Sequence, residues 1–416
     1  MLKNDFVKNA MKLLTGTTIA HAITFLFSPI ITRVYSPSEF GLYTLFLTIG
    51  TSLGLFATMR YEMAILLPKD EKEADSLKKL CISSSLMIST IILFTTLIYN
   101  SISNEGNKLF LGLFIFVLFT GLYQTYYYLS NRSNDYKGMG NSRIIQTLLF
   151  SVLSIAFYKI GGNGLVIAHI LSVIASYIYL KNRRSNNFFE INFQLKGSRS
   201  IIKVAKKYKD MPMYNSIHAF MDVIMNNGLL FLISIFYGSA VLGLYSFAWK
   251  VLRAPLAVIG SAVGQVYLNR ASQYYNDKQA IKPLMNKIIF RLLLVALPLF
   301  LILGLEGDVI FSFVFGQSWK EAGSYVQILS PWLFFNFMSS PIVQTFVVLN
   351  KQRNALVYSF IQTVMTISTI IAIPFFSKDI YTLLPWLSLI GSLSCIVFII
   401  WIYKIVSEYE KKIISE

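Results

Sequence analysis

Long runs of uncharged residues alternate with short charged segments along the chain. Between Lys12 and Arg33 lie 20 uncharged residues, and another 20 lie between Glu39 and Arg60. About 20 consecutive apolar residues cross the hydrocarbon core of a bilayer as a helix. A transmembrane barrel would instead show strands of about 10 residues with alternating polarity. The pattern therefore predicts membrane-spanning helices.

Reading from charge to charge predicts twelve such segments. The fifth is short, at 15 residues, and the ninth contains Arg291 near one end. The predicted fold class is an all-α polytopic membrane protein with twelve transmembrane helices. The segments are 13–32, 40–59, 80–99, 109–131, 144–158, 160–180, 212–237, 241–269, 288–305, 322–349, 354–376 and 380–403.

The composition agrees with a membrane protein, because hydrophobic residues make up 55% of the chain and charged residues only 14%. A soluble domain carries about 25% charged residues. With the N-terminus in the cytoplasm, 30 Lys and Arg residues fall on the cytoplasmic side, when Arg291 at the end of the ninth span is included, and 5 fall in external loops. Basic residues favour the cytoplasmic side, so both termini are predicted to be cytoplasmic. The same distribution explains the net charge of +17 without a nucleic-acid partner.

The longest cytoplasmic loop, 181–210, carries nine of these basic residues. Two interpretations remain open for it. The loop attracts anionic headgroups or an anionic lipid-linked substrate, or its charge only sets the membrane orientation, which we favour.

A short stretch of sequence occurs once in each half of the chain. "YSPSEFGLY" (Tyr35–Tyr43) and "YGSAVLGLY" (Tyr237–Tyr245) share their tyrosines and Gly-Leu-Tyr at an offset of 202 residues. Two weaker echoes follow in order, at 124–129 with 344–349 and at 145–147 with 361–363. These matches predict two six-helix bundles, 1–210 and 211–416, related by a pseudo-two-fold axis along the membrane normal. Such bundles would flank a central cavity and rock to give alternating access.

Besides Arg291, which lies near a span end, three charged residues fall inside predicted spans, where charge is rare and usually functional. They are Asp222, Lys250 and Arg253. Lys250 and Arg253 are three residues apart and share one helix face, and the planar fork of arginine suits phosphate. The pair therefore predicts an anion site, although an internal ion pair with Asp222 is an alternative.

Other candidates lie in or beside the first two spans. Arg33 and Arg60 flank the spans and either line the cavity mouth or extend to the headgroups. Arg60 precedes Glu62 in what is predicted to be a structured internal turn. His21 lies mid-span and is either a packing residue or a proton site, because its charge changes near neutral pH.

The sequence lacks the motifs that nucleotide-binding, metal-binding and catalytic proteins usually carry. No G-x-x-x-x-G-K-[ST] motif for nucleotide binding occurs. The three His and two Cys have no metal-ligand spacing, and the longest predicted external loop, Glu306–Glu321, has 16 residues. The chain is therefore predicted to be neither an enzyme nor a cofactor-binding protein.

Three segments resemble the polysaccharide-export family of bacterial membrane proteins, the O-antigen flippases. These belong to the multidrug/oligosaccharidyl-lipid/polysaccharide (MOP) exporter superfamily. The segments are "LLTGTTIAHAITFLFSPIITRVYSPSEFGLYTLF" (Leu13–Phe46), "MRYEMAILLPKDEKEADSL" (Met59–Leu77) and "FGQSWKEAGSYVQILSPWLFFNFMSSPI" (Phe315–Ile342). The resemblance implies a MOP/MATE-like fold in the bacterial inner membrane.

The resemblance also implies a function. The substrate would be an oligosaccharide on undecaprenyl pyrophosphate, moved from the cytoplasmic to the outer face. Lys250 and Arg253, with Arg60 and Arg33 by analogy, would line a cationic cavity. Coupling to H+ or Na+ would involve Asp222 or His21, which are candidates only. Polysaccharide polymerase and chain-length machinery are expected partners.

Three rival functions remain to be weighed. A multidrug antiporter of the same superfamily would need an acidic cavity for cationic drugs, whereas the predicted mid-membrane charges are one acid and two bases. A polysaccharide polymerase or ligase would need a sizeable external loop. A scaffold for glycan assembly would not explain buried cations. The sequence therefore favours a lipid-linked oligosaccharide flippase.

Overall fold

The computed structural model describes residues 2–102, 111–183 and 198–415, which are mostly helical and contain no strand. Short 3₁₀ turns interrupt the helices, among them Tyr61–Leu66 and Gln317–Trp319. The helices are α1 (Leu2–Val34), α2 (Pro37–Gly54), α3 (Glu71–Ile102), α4 (Gly112–Arg132), α5 (Tyr136–Ala156), α6 (Gly162–Asn182), α7 (Ser198–Lys207), α8 (Ser216–Asn276), α9 (Lys282–Phe315), α10 (Lys320–Ser339), α11 (Thr345–Val348), α12 (Gln352–Ala372) and α13 (Ile380–Ser415).

Seven helical segments of the described chain are long and apolar enough to cross a bilayer. An eighth is added if the bent pair Gln317–Ser339 and Ile342–Val348 forms one span. The seven are Thr15–Val34, Glu71–Ile102, Gly162–Asn182, Asn227–Arg253, Lys282–Phe315, Gln352–Phe375 and Ile380–Lys411. The predicted all-α polytopic fold is confirmed, whereas the count of twelve spans stays a prediction.

Many large hydrophobic side chains lie on the outside of these helices. Phe94 on α3, Leu305 on α9 and Phe360 on α12 are 60%, 72% and 61% exposed. Water would penalise so much apolar surface on a monomer, whereas lipid tails are as apolar as the side chains themselves. The exposed faces therefore suit a hydrocarbon environment.

The chain divides into two compact units, Met1–Phe231 and Leu232–Glu416. The boundary lies beyond residue 210, where the two predicted bundles were separated. One reason is that Asn227 packs with the first unit, since its side-chain amide donates to Ser52 Oγ on α2 at 2.9 Å. The assignment of six spans to each half stays a prediction.

In the first unit, α5 lies between α1 and α6, while α4 packs against α3 and α6. The crossing of α1 and α5 is very close at Gly16 and Gly140, because a Cβ on Gly16 would come within 2.6 Å of the Gly140 Cα. Small residues allow such approaches between membrane helices. Cys81 is fully buried in the core of this unit, and Cys395 is equally buried in the second unit.

In the second unit, α10 packs against α9 and α13, and α12 packs against α13. Its core is formed by the end of α8, the start of α9, the 342–348 segment and the second half of α13. Within it, the Tyr267 and Thr345 hydroxyls share a hydrogen bond of 2.7 Å, so these two buried hydroxyls satisfy each other.

Both copies of the repeated stretch lie where one helix ends and the next begins. In the first copy, Ser36 caps α2, and the Glu39 carboxylate accepts from the Ser36 N–H at 2.8 Å. This reciprocal pairing is a capping box. In the second copy, the helical geometry of α8 breaks at Gly238, with φ 82° and ψ 179°. The run is therefore two helices, 216–237 and 239–276.

The structure corrects two loop boundaries and leaves a third partly undescribed. Helix α5 begins at Tyr136 rather than near 144, so Arg143 lies inside a helix. Residues 306–321 are not an open loop, because α9 continues to Phe315 and α10 starts at Lys320. In the basic loop 181–210, α7 occupies Ser198–Lys207, while residues 184–197 lie outside the described chain.

Candidate anion-binding site

Lys250 and Arg253 lie on one exposed face of the helix 239–276. Both residues are exposed, whereas residues 242–248 and Leu252 of the same helix are buried. Residues three apart are neighbours on a helix surface, so the two cations form one patch, as the sequence predicted. No carboxylate among the described side chains lies within 4 Å of either cation. Their charge is therefore available to an anion.

Aromatic side chains position the Arg253 guanidinium. Its Cζ lies 5.5 Å from the centre of the Trp249 ring. Trp249 in turn stacks on Tyr245 at 6.0 Å and packs against Trp332 of α10 at 4.9 Å. A guanidinium over an indole face is held electrostatically and keeps its N–H groups for other acceptors. Arg253 is therefore oriented by neutral aromatic groups, and none of the described carboxylates neutralises it.

The aromatic support is itself tightly packed. A Cβ on Gly391 of α13 would come within 2.4 Å of the Trp332 ring, so only glycine fits there. Tyr245 is fully buried and Trp332 is 7% exposed. The Tyr245 hydroxyl and the Trp332 indole N–H have no hydrogen-bond partner among the described residues. Buried polar atoms usually have a partner, so this cluster has unused hydrogen-bonding capacity.

Arg60 occupies a different environment, in the turn between α2 and α3. Met59 and Arg60 have positive φ angles of 50° and 62°, a backbone conformation that costs non-glycine residues energy. Arg60 Nη1 lies 3.6 Å from Glu62 Oε1, and Thr58 donates to the same carboxylate. Burial raises the pKa of Glu62, while the Thr58 hydrogen bond and the Arg60 charge lower it. The predicted structured turn is present, and its arginine is partly neutralised.

The remaining predicted residues lie on α1 and on the helix 216–237. Arg33 is exposed in the last turn of α1, and His21 is exposed in the middle of the same helix. Asp222 lies in the helix 216–237, but its side chain is outside the described residues. The roles of Arg33, His21 and Asp222 therefore stay predictions.

Two polar contacts inside the first unit were missed by sequence reasoning. Tyr43 and His169 Nδ1 are 2.9 Å apart, and the rings of Phe116 and Phe150 pack against the imidazole at 5.5 and 5.2 Å. Arg143 donates to Thr17 at 2.9 Å. The sequence signal for Arg143 was its place at the edge of the shortest predicted span.

Comparison with known proteins identifies the family. Residues 30–324 match the sequence model of a family described as polysaccharide biosynthesis protein. The chain belongs to this polysaccharide biosynthesis protein family. The match covers most of the first unit and, in the second, the helix that carries Lys250 and Arg253.

A similar curated protein is the capsular polysaccharide biosynthesis protein CapF of Staphylococcus aureus. It is 21% identical over 351 residues, which cover 82% of this chain and 86% of CapF. This relative and the family match both concern polysaccharide biosynthesis.

Two solved structures show the same fold. The lipid II flippase MurJ in an inward closed conformation has a TM-score of 0.70 at 14% identity, covering 96% of this chain and 89% of that one. An inward-facing multidrug resistance MATE transporter of the MOP superfamily has a TM-score of 0.58 at 16% identity, covering 96% of each chain. The chain therefore has the fold of the MOP transporters and is a multi-pass membrane protein.

Proposed function

We propose that this protein is a flippase for a lipid-linked oligosaccharide. Its substrate is a repeat unit of a polysaccharide carried on undecaprenyl pyrophosphate. The protein moves the unit from the cytoplasmic to the outer face of the inner membrane by alternating access. The observation that carries this proposal is the pair Lys250 and Arg253 on one helix face, which no carboxylate of the described side chains neutralises.

The chemistry of this pair fits a diphosphate. A pyrophosphate group carries several negative charges and many acceptor oxygens, and an arginine fork binds such oxygens in a bidentate way. Lysine adds a compact second charge. In a membrane helix, a cation without a counterion is costly, and a lipid-linked diphosphate supplies that counterion during transport.

The kind of polysaccharide and the coupling ion are further parts of the proposal. CapF is named for a capsular polysaccharide, and the sequence motifs resemble O-antigen flippases, so either class of repeat unit suits this chain. A gradient of H+ or Na+ would drive the cycle, with His21 and Asp222 as candidates for the coupling residues. Polysaccharide polymerase and chain-length proteins are the expected partners.

A multidrug antiporter is the alternative, because MATE transporters share the fold. Such a transporter binds cationic drugs most easily at carboxylates. The exposed patch on the helix 239–276 carries two cations and, within the described side chains, no carboxylate close to them. This charge pattern favours an anionic substrate and disfavours drug cations.

A complementation experiment tests the proposal in cells. A strain that lacks the gene receives either the wild-type protein or no protein, and lipid-linked oligosaccharide on the cytoplasmic face is measured beside surface glycan. We expect the deletion to accumulate the lipid-linked unit inside and lose surface glycan, and the wild type to reverse both. Unchanged pools in the deletion strain, together with increased drug sensitivity, would support the antiporter instead.

A further inference from the structure

Arg143 is a cation inside the helix bundle of the first unit. It lies seven residues after the start of α5 at Tyr136, or about 10 Å along the helix axis at 1.5 Å per residue. The close crossing at Gly16 and Gly140 brings α1 against this part of α5. Arg143 follows one turn after Gly140, so its side chain emerges beside Thr17 of α1.

Neutral groups hold the Arg143 side chain in place. Nη1 donates to Thr17 Oγ1 at 2.9 Å, and Cζ lies 5.3 Å from the ring centre of Tyr127 on α4. Tyr123, one turn earlier on α4, shares a 3.3 Å hydrogen bond with Ser142 next to Arg143. The Tyr123 and Tyr127 side chains are also hydrogen-bonded to Arg143. The guanidinium thus lies between two neighbouring helices, α1 and α4, and its contacts there are all with neutral groups.

Three other arginines of the first unit each face a carboxylate. The pairs are Arg60 with Glu62, Arg132 with Glu71, and Arg183 with Asp135. Arg143 differs, since no carboxylate of the described side chains lies within 4 Å of it. It is also partly buried. A partly buried charge without a counterion is unfavourable, and in a membrane helix it usually marks a pathway for a charged ligand.

We propose that Arg143 binds a lipid phosphate in the first unit, as a second phosphate-binding side chain besides Lys250 and Arg253. Thr17, Tyr123 and Tyr127 orient the guanidinium without neutralising its charge, and a planar fork of this kind binds phosphate oxygens. If this phosphate belongs to the transported diphosphate, that assignment rests on the proposed function. A phosphate of a bulk anionic lipid has the same chemistry and is the other source.

Binding to the purified full chain distinguishes these sources. The protein is placed in nanodiscs of phosphatidylcholine and titrated with undecaprenyl pyrophosphate, with undecaprenol and with phosphatidylglycerol, and binding is read by native mass spectrometry. Loss of one charge-assisted hydrogen-bonding group typically weakens binding about 10- to 150-fold. We expect Arg143→Gln to weaken undecaprenyl pyrophosphate binding in this range and to leave undecaprenol binding unchanged.

Arg183→Gln is the matched control, because Arg183 is a surface arginine already paired with Asp135. Exposed ion pairs contribute little, so this variant should bind all three lipids within about twofold of wild type. If Arg143→Gln loses only phosphatidylglycerol binding, Arg143 is still a phosphate site, and its source is bulk lipid. If it binds both phosphate lipids like the wild type, the proposal is wrong.

The binding experiment has two further outcomes, a variant that does not fold and a wild type that binds no undecaprenyl pyrophosphate. Should Arg143→Gln fail to fold, Arg143→Lys keeps the charge and removes the fork, and we expect weaker undecaprenyl pyrophosphate binding than in wild type. Equal binding by Arg143→Lys would then overturn the proposal. If the wild type binds no undecaprenyl pyrophosphate, the proposed function fails, and the phosphatidylglycerol titration alone decides whether Arg143 binds phosphate.

Discussion

The two copies of the repeated stretch share a turn but differ in how their tyrosine hydroxyls are used. In the first copy, Tyr35 donates to the Ser154 carbonyl at 2.7 Å and Tyr43 bonds to His169 at 2.9 Å. In the second copy, the hydroxyls of Tyr237 and Tyr245 are buried with no partner among the described residues. The first pair stabilises its unit, whereas the second has hydrogen-bonding capacity to spare.

The copies differ again two turns further along the helix. At the offset of 202 residues, the positions of Lys250 and Arg253 correspond to Thr48 and Thr51 in the first copy. The two threonine hydroxyls donate to carbonyls of their own helix, at 2.8 Å and 2.6 Å. Neutral, hydrogen-bonded side chains thus occupy these positions in the first copy. In the second copy they are cations that no described carboxylate neutralises.

The backbone explains what both copies have in common. Helix α2 starts at Pro37, after the cap Ser36, and the second helix starts after Gly238, which is the position equivalent to Ser36. The shared tyrosines and glycine therefore belong to the helix boundary. The cations do not, since the first copy forms the same boundary without them. This difference is the reason that we propose the anion site for the second copy.

The largest effect is expected from removing both cations. Lys250→Ala with Arg253→Ala removes two charged contacts to a diphosphate, each of which is typically worth about 1.5–3 kcal/mol. We expect the affinity for undecaprenyl pyrophosphate to fall at least about 100-fold, measured by titration of the protein in nanodiscs.

Thr48→Ala with Thr51→Ala is the control at the equivalent positions of the first copy. Both hydroxyls donate within their own helix, and Thr51 also accepts a long 3.5 Å bond from Asn227, so no charged contact is lost. The affinity should stay within about threefold of wild type. Equal losses in the two double variants would show that the copies do not differ in chemistry.

An intermediate effect is expected from changing the two boundary residues. Gly238 has φ 82° and ψ 179°, a region that is nearly exclusive to glycine, and Gly238→Ser should cost about 1–3 kcal/mol. Ser36→Gly should cost only a few tenths of a kcal/mol, because glycine is tolerated at helix caps. Thermal unfolding of both variants measures the difference, and equal midpoints would argue against a strained boundary in the second copy.

The smallest effect is expected from removing one hydroxyl in each copy. Tyr43→Phe breaks the bond to His169 and should destabilise the protein by about 1 kcal/mol. Tyr245→Phe removes a buried hydroxyl without a partner and should be neutral or stabilising. The unfolding midpoints of the two variants are the measurement. A lower midpoint for Tyr245→Phe than for Tyr43→Phe would mean that the Tyr245 hydroxyl is engaged after all.

Much of this comparison is already visible in the sequence. Apolar runs predicted the helices, and the repeat predicted where both boundaries lie. The spacing of Lys250 and Arg253 predicted their common face, because helix periodicity is local. The sequence did not reveal Trp332 as a neighbour of Trp249, since that contact joins α10 to α8 and depends on tertiary packing.

Arg143 shows why the charge-based boundaries failed in places. A span read from charge to charge stops at the first cation, so it placed Arg143 outside a helix that in fact begins at Tyr136. The same rule predicted a loop at residues 306–321, whereas the structure places most of these residues in helices. Charge marks the edge of a hydrocarbon layer, whereas a helix ends where its backbone hydrogen bonds end.

The central claim is that the second copy binds the anionic headgroup that is moved across the membrane. The most direct measurement reconstitutes the full chain in liposomes with a lipid-linked oligosaccharide and follows its appearance on the opposite leaflet. The account predicts rapid movement for wild type and for Thr48→Ala with Thr51→Ala, and movement near the protein-free rate for Lys250→Ala with Arg253→Ala. Wild-type movement by the latter variant, at equal protein incorporation, would contradict it.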